Sequence, residues 1–336
     1  MITRTIPVVF GVTRAQFEVE IRPAEQPVVL KNLVGDWPAV RAARQSDEAA
    51  AAYFKGLDKG RKTTVSLLPR EALGRYFYTP DMKGFNFNVD QATPSHVLDW
   101  LLDHRTDPEA VTIYVQSLAT ADYMPDFEPQ NVMPLLQQSY GPRLWVGNAV
   151  RTQTHFDPSY NIACLVAGKR RFTLFPPEQI VNLYPSPFDT APGGVPISMA
   201  GIEEPDFTTY PRLKDALETA QAAELEPGDA LFIPYAWWHH VQSQGPFNLL
   251  VNYWWNEGVA ADVPKPNAAL FLALVTMRDL PPAAREVWRR IFDMYVFGDS
   301  QASSAHLPSH AQGAFGQMTA EVIGRIRGYI KAALKL

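Results

Sequence analysis

One cysteine, Cys164, stands among 336 residues. No internal disulfide is available to the chain, and nothing in it asks for an oxidising compartment. Long apolar runs are missing as well: no window approaches the roughly 18 consecutive apolar residues of a membrane helix. The opening stretch, MITRTIPVVFGVTRAQ, lacks the extended apolar segment and small-residue cleavage site of a secretory signal. A cytoplasmic protein with no membrane partner is the expectation. Positive charge is also short, since 30 Lys and Arg against 35 Asp and Glu leave a net charge of −5. That sign weighs against a general nucleic-acid binder, which needs a basic footprint, while leaving room for a local basic site.

What the chain does have is proline, 29 residues, and a 12% share of aromatics, both dispersed along its length. That texture suits many short strands joined by ordered loops and disfavours an all-helical bundle. Thr13 with Gln16 forms a capping box that opens a short helix before Pro23. A strand is expected at residues 27–30, an alanine-rich helix at 46–57 and a helix from Thr93-Pro94 to about 101, with Pro in its first turn. Residues 76–78 and 85–87 flank a Pro80/Gly84 turn and predict a hairpin.

From about residue 111 the chain turns to short β-rich runs, at 111–118, 144–147, 153–157, 161–166, 170–175, 230–233, 241–243 and 249–255. Many short strands with Gly/Pro punctuation point to a barrel or double-sheet jelly roll, mainly β with flanking helices. A Pro/Gly-rich insertion at 184–225, with one helical piece near 213–222, is too long for a simple connector and predicts a lid or binding loop. Helices are expected at 267–277, 283–297 and 319–334. In the last, Val322, Ile326, Ile330 and Leu334 form an apolar stripe. Three regions follow: an N-terminal α/β region at 1–110 packing on the barrel, a catalytic barrel at 111–258 carrying the insertion, and a helical region at 259–336.

The chemistry concentrates in Thr154-His155-Phe156-Asp157. On a strand, residues i and i+2 share a face, so His155 and Asp157 can project together into a barrel. A histidine and a carboxylate on one face, with a distant histidine, make the two-histidine, one-carboxylate set that suits non-haem Fe(II) and leaves coordination positions open. The turn at Pro227-Gly228-Asp229 feeds a strand that delivers Trp237-Trp238-His239-His240-Val241. One of these two histidines is the natural third ligand, and strand alternation lets only one of them share the barrel face.

The ordered segments His155-Phe156-Asp157, Gly168-Lys169-Arg170-Arg171-Phe172-Thr173-Leu174-Phe175-Pro176-Pro177, Pro227-Gly228-Asp229, Ile233-Pro234-Tyr235-Ala236-Trp237-Trp238-His239-His240-Val241 and Val251-Asn252-Tyr253-Trp254 resemble the cupin-like JmjC dioxygenases. Within that family the chain looks most like the asparaginyl hydroxylases that inhibit hypoxia-inducible factor, from about Pro27 to Trp255, with a similarly arranged helical tail. The resemblance implies a double-stranded β-helix with the metal at one mouth of the barrel. It implies His155, Asp157 and His239 as ligands of Fe(II), the last lying five residues after Pro234. It implies Thr152 and Tyr114 as contacts of the cosubstrate 2-oxoglutarate, Asn161 and Asn252 as polar neighbours of metal and cosubstrate, Trp254 as an aromatic wall, and Gln116 as a substrate-facing residue. Where those hydroxylases pair a lysine with the far carboxylate of 2-oxoglutarate, this chain has Arg170, whose planar fork can grip a carboxylate bidentately.

The activity so implied is hydroxylation of a C–H bond, in a protein side chain or a small molecule, using dioxygen and decarboxylating 2-oxoglutarate to succinate. A homodimer through the C-terminal helices is implied too. The alternative is a non-catalytic or cosubstrate-free metal-binding cupin that holds a small ligand such as a carbohydrate. Other residues read as structural: Cys164 as a small buried hydrophobe, His96, His104, His306 and His310 as surface or structural groups, and the aromatic set Tyr76, Phe77, Tyr78, Phe85 and Phe87 as packing.

Overall fold

Two long antiparallel strands, Tyr160–Phe175 and Trp238–Trp255, carry the architecture of this computed structural model, which describes residues 4–138, 140–256, 266–299 and 302–335. They pair along most of their length, with register shifts between Leu165 and Lys169. Each therefore serves in two places. Asn161–Cys164 pairs on its other edge with the strand Ala230–Ile233, whereas Arg170–Leu174 pairs with Gln221–Leu225. Likewise Trp238–Gln242 pairs with Arg151–Phe156, and Asn248–Asn252 with Arg143–Gly147. Two strands bent at the same level, each handing from one partner to another, fold the sheet over into a jelly roll. The bend demands glycine at 168: its φ is +79°, and a β-carbon there would lie 2.3 Å from Asn248 Oδ1 and 2.5 Å from the Phe247 carbonyl oxygen.

The N-terminal residues extend this sheet at both ends. Val28–Lys31 pairs with Ala230–Phe232, and Val8–Phe10 lies parallel to it as an edge strand. On the other side, Thr112–Ala119 pairs with Arg143–Gly147, then Thr63–Leu68, then Asn88–Ala92. Helices Pro38–Gln45, Asp47–Leu57 and Pro94–Asp103 cover the outer face, where Phe54, Val97, Leu98, Val115, Leu144 and Val251 form the larger core. Ser46 caps the second of these helices by accepting from the Ala49 amide at 3.1 Å. A second core, with Leu165, Phe172, Leu174, Leu231 and Trp237, fills the barrel interior.

Several expectations change in detail. The runs at 161–166 and 170–175 are one strand, as are those at 241–243 and 249–255, because the bulges between them bend the ladder without ending it. The hairpin at 76–87 reduces to a single bridge, Tyr78 with Phe85. Its aromatics pack on one another instead, Tyr76 on Phe87 at 3.9 Å and Phe85 on Phe87 at 5.3 Å between ring centroids. The helical piece of the insertion ends at Thr219, and residues 221–225 are a barrel strand. Cys164 is buried, and His104 stacks on Trp100 while its Nδ1 meets the Trp100 carbonyl.

The chain divides into two compact units, Met1–Gly258 and Val259–Leu336. The second contains the helices Pro266–Met277, Pro282–Phe292 and Ala320–Ala333. None of these helices buries a residue, and Val275, Phe297 and Tyr329 are 81%, 76% and 78% exposed. So much open apolar surface is unusual for a monomeric unit. Among the described residues, no helix is long and apolar enough to cross a membrane.

Candidate metal and cosubstrate site

The strand Arg151–Phe156 brings the first two site residues in, and a bulge sets their direction. His239 pairs with His155 and Val241 with Thr152, so two steps on one strand oppose three on the other. The extra residue resets the alternation. Thr152, His155 and Asp157 all come to line the same cavity, which strict alternation from 152 to 155 would forbid. His239 arrives from the adjacent strand. Candidate ligand atoms of His155, Asp157 and His239 all lie within 4.8 Å of one another, and the two imidazole rings stand 4.2 Å apart.

Both histidines are held in the tautomer a metal needs. His155 Nδ1 donates to the Gln153 carbonyl at 2.8 Å and His239 Nδ1 to the Trp237 carbonyl at 3.0 Å. Each bond leaves the Nε2 lone pair free. Burial, with His155 adding to it and Asp157 opposing, holds His239 down to about 4, so its ring is neutral at pH 7. Its 3.6 Å approach to Asp157 is then a neutral donor atom beside a carboxylate rather than an ion pair. Asp157 Oδ2 also accepts from Trp254 Nε1 at 3.0 Å, which fixes the carboxylate.

His240 faces the other way. Its Nε2 stands 3.7 Å from Glu203, and burial, then His155, Arg151 and Arg75, hold it down to about 3, so that contact too involves a neutral ring. Trp237 and Val241 join the barrel core, while Trp238 packs with Phe175 and Leu183 on the far side.

At the cavity's other end Arg170 and Tyr114 are each 3% exposed. Nε and Nη2 of Arg170 are buried with no hydrogen-bond partner among the described residues. Burial lowers the guanidinium's pKa and raises that of the Tyr114 phenol, and each group partly offsets the other's shift. An arginine nevertheless stays charged. Lys169 is exposed and Arg171 pairs with Glu224 at 2.9 Å, so neither shares the interior with Arg170. Between the two ends, Asn161 Oδ1 accepts from Asn252 Nδ2 at 3.1 Å, and Asn252 Oδ1 from Trp145 Nε1 at 2.7 Å. Ala163, Phe172, Ile233, Val241 and Leu250 make the apolar wall.

Gln116 is the one candidate that does not line this cavity. It is half-buried beside the insertion, where a β-carbon on Gly193 would lie 3.4 Å from its Oε1. Trp145 is a cavity residue that sequence reasoning missed. Its place within the expected strand at 144–147 was the available signal, since a large indole at an alternating position must face one side or the other.

The donor set fits a metal that takes imidazole nitrogen and carboxylate oxygen while leaving positions open. The buried, unpartnered guanidinium fits a carboxylate-bearing ligand reaching from that metal.

Comparison with known proteins places this site in a family. The model of the cupin-like domain matches residues 14–261. The lysine-specific demethylase JMJ31 of Arabidopsis thaliana is 34% identical over 39% of this chain and 24% of its own. HSPB1-associated protein 1 of Mus musculus is 35% identical over 70% of this chain and 49% of its own. The tRNA wybutosine-synthesizing protein 5 of Gallus gallus is 27% identical over 85% of this chain and 92% of its own. The chain thus spans about a quarter of the first relative's length and about half of the second's. The matched region takes in both long strands and all three residues of the His-Asp-His cluster, and the chain belongs to the cupin-like domain family.

Proposed function

We propose that this protein is an Fe(II)- and 2-oxoglutarate-dependent oxygenase that hydroxylates a C–H bond. The observation that carries the reading is a single cavity with a His-Asp-His cluster at one end and a buried, unpartnered guanidinium at the other. His155, Asp157 and His239 would hold the metal. Arg170, with the Tyr114 hydroxyl beside it, would receive the far carboxylate of 2-oxoglutarate, and Thr152, Asn161 and Asn252 would flank its body. When bound, iron and 2-oxoglutarate together supply the oxidising chemistry, decarboxylation to succinate coupled to transfer of one oxygen atom of dioxygen into a C–H bond. The protein's part is to bind, orient and exclude water. The carbonyls of Gln153 and Trp237 keep each histidine's Nδ1 protonated. Trp254 holds Asp157 by its Oδ2 and walls the cavity, and the apolar residues around Leu250 keep it dry.

Two of the similar proteins are named for different work, a lysine-specific demethylase and a tRNA wybutosine-synthesizing protein. The primary substrate, protein side chain, nucleoside or small molecule, would be chosen by Gln116 and the insertion at 184–225. A cosubstrate-free or non-catalytic cupin is the second reading, and the buried charge of Arg170 speaks against it, because an unpaired buried charge is costly and a carboxylate ligand is the partner a guanidinium pairs with best. A cytoplasmic setting remains part of the proposal, resting on a single cysteine that is buried.

The test is direct. Anaerobic addition of Fe(II) and 2-oxoglutarate is expected to produce the weak visible charge-transfer band of a chelated keto acid, and admission of oxygen to yield succinate. Protein with neither the band nor calorimetric binding of 2-oxoglutarate would refute the oxygenase reading.

We also propose a homodimer built on the second unit. The stripe of Val322, Ile326, Ile330 and Leu334 leaves Ile330 and Leu334 38% and 43% exposed, and a second copy is the partner a closed symmetric assembly supplies. Light scattering should give twice the chain mass, and Ile326→Glu with Ile330→Glu should halve it. A wild-type monomer at micromolar concentration rules the dimer out.

A further inference from the structure

We propose that Gln153 is a positioning residue that couples the insertion to the metal site, an inference that rests on the metal reading above. The segment at 184–200 is a hairpin docked on the strand that carries His155. Its arms pair through Ser186 N to the Ile197 carbonyl at 2.8 Å and Met199 N to the Tyr184 carbonyl at 2.9 Å. Ile197 bridges to His155 itself, and Ser198 N donates to the Thr154 carbonyl at 2.6 Å. The hairpin's far end is tied to two other segments: Tyr78 OH donates to the Thr190 carbonyl at 2.6 Å, and Gly193 lies against Gln116.

Gln153 joins the two ends of this arrangement. The bulge between Thr152 and His155 turns its side chain away from the cavity and under the hairpin, where the residue is 3% exposed. Its Nε2 donates to the carbonyls of Ser198 at 2.9 Å and Ala200 at 3.1 Å. Both partners are acceptors only, so the amide orientation follows from chemistry rather than from fitting. The same residue's carbonyl oxygen accepts from His155 Nδ1 at 2.8 Å. One residue therefore grips the hairpin with its side chain and aims a metal-binding histidine with its backbone. A shift of the hairpin, as substrate settles against its tip, moves the carbonyl that sets the His155 ring.

Coupling of this kind is reciprocal: if hairpin docking tightens metal binding by some factor, metal tightens hairpin docking by the same factor. Couplings between two sites typically amount to about 5–150-fold in affinity. Gln153→Met keeps the volume and removes both donors. The carbonyl that aims His155 is retained, so the Co(II) dissociation constant reads the hairpin coupling alone and is expected to rise at least about 5-fold. In the wild type, Co(II) should slow hydrogen exchange of the Ser198 amide, with much less change in the remote strand Thr63–Leu68, and in Gln153→Met that selective protection should vanish. Phe54→Leu, which loosens the helix-covered core, is the control for general destabilisation and should retain it. Equal Co(II) affinity in wild type and Gln153→Met overturns the inference alone. So does a wild-type Ser198 amide that exchanges equally with and without bound Co(II), a result that needs no variant to fold. Wild-type protein that fails to bind Co(II) overturns the metal reading, and this inference with it.

Discussion

His239→Ala is expected to lose metal and 2-oxoglutarate turnover together, while His240→Ala keeps most of both. The two residues are neighbours, yet they serve opposite faces of one strand. His239 Nε2 converges with His155 and Asp157, and its Nδ1 is pinned to the Trp237 carbonyl. Removing it takes away one of three donor atoms. The loss should exceed the roughly 10–100-fold that an outer partner of a metal ligand costs. His240 lies behind, against Glu203, with Arg151 also 3.7 Å from that carboxylate. Its loss opens a buried gap, for about 0.5–3 kcal/mol of stability, the range common to single substitutions. Iron content after anaerobic loading, read beside the thermal midpoint, separates the two effects. Metal retained by His239→Ala and lost by His240→Ala would mean that the strand runs one residue out of the register described.

Much of the barrel is legible in the chain because its strands are buried and bounded by turn residues. Ala230–Ile233 is apolar throughout and closed by Pro234, so its limits follow from composition. Asn88–Ala92 is the opposite case: almost all of it is exposed, it has no apolar face, and only pairing with Thr63–Leu68 makes it a strand. Arg4–Thr5 is a short exposed strand of the same kind, defined by its pairing with Gln221–Leu225 rather than by pattern.

The candidate site divides along a similar line. The two-residue rhythm brings His155 and Asp157 to one face by elementary strand geometry. Thr152 violates that rhythm, and without the bulge its place in the cavity has no physical account, only a likeness to other proteins. Gln153 carries no sequence signal at all, since its partners are backbone carbonyls some 45 residues away. Gln116, the glutamine the resemblance marks as substrate-facing, lies outside the cavity lining and against Gly193 of the insertion.

Replacing Arg170 should change affinity and stability in opposite directions, which few other roles would produce. A buried guanidinium without a counter-charge is costly to the folded protein, by several kcal/mol even after relaxation. Among the described residues Nε and Nη2 find no hydrogen-bond partner, and the Tyr114 phenol, whose own ionisation burial disfavours, offsets little of that cost. On the proposed reading, the far carboxylate of 2-oxoglutarate compensates it. Arg170→Met fills the space with an unbranched apolar chain beside Phe172 and Leu250. The ligand-free protein should then melt at the wild-type temperature or above it. Affinity for 2-oxoglutarate should fall steeply, because removing one partner of a buried charge pair costs about 2–5 kcal/mol, roughly 30-fold to several thousand-fold in dissociation constant. Metal binding should barely change, since the guanidinium is at the far end of the cavity from His155. Calorimetry of Co(II) and of 2-oxoglutarate, alongside melting of the ligand-free protein, reads all three quantities on one preparation. A variant that melts well below wild type and binds 2-oxoglutarate normally would make Arg170 a structural cation, and the carboxylate anchor would have to be sought on another wall of the cavity.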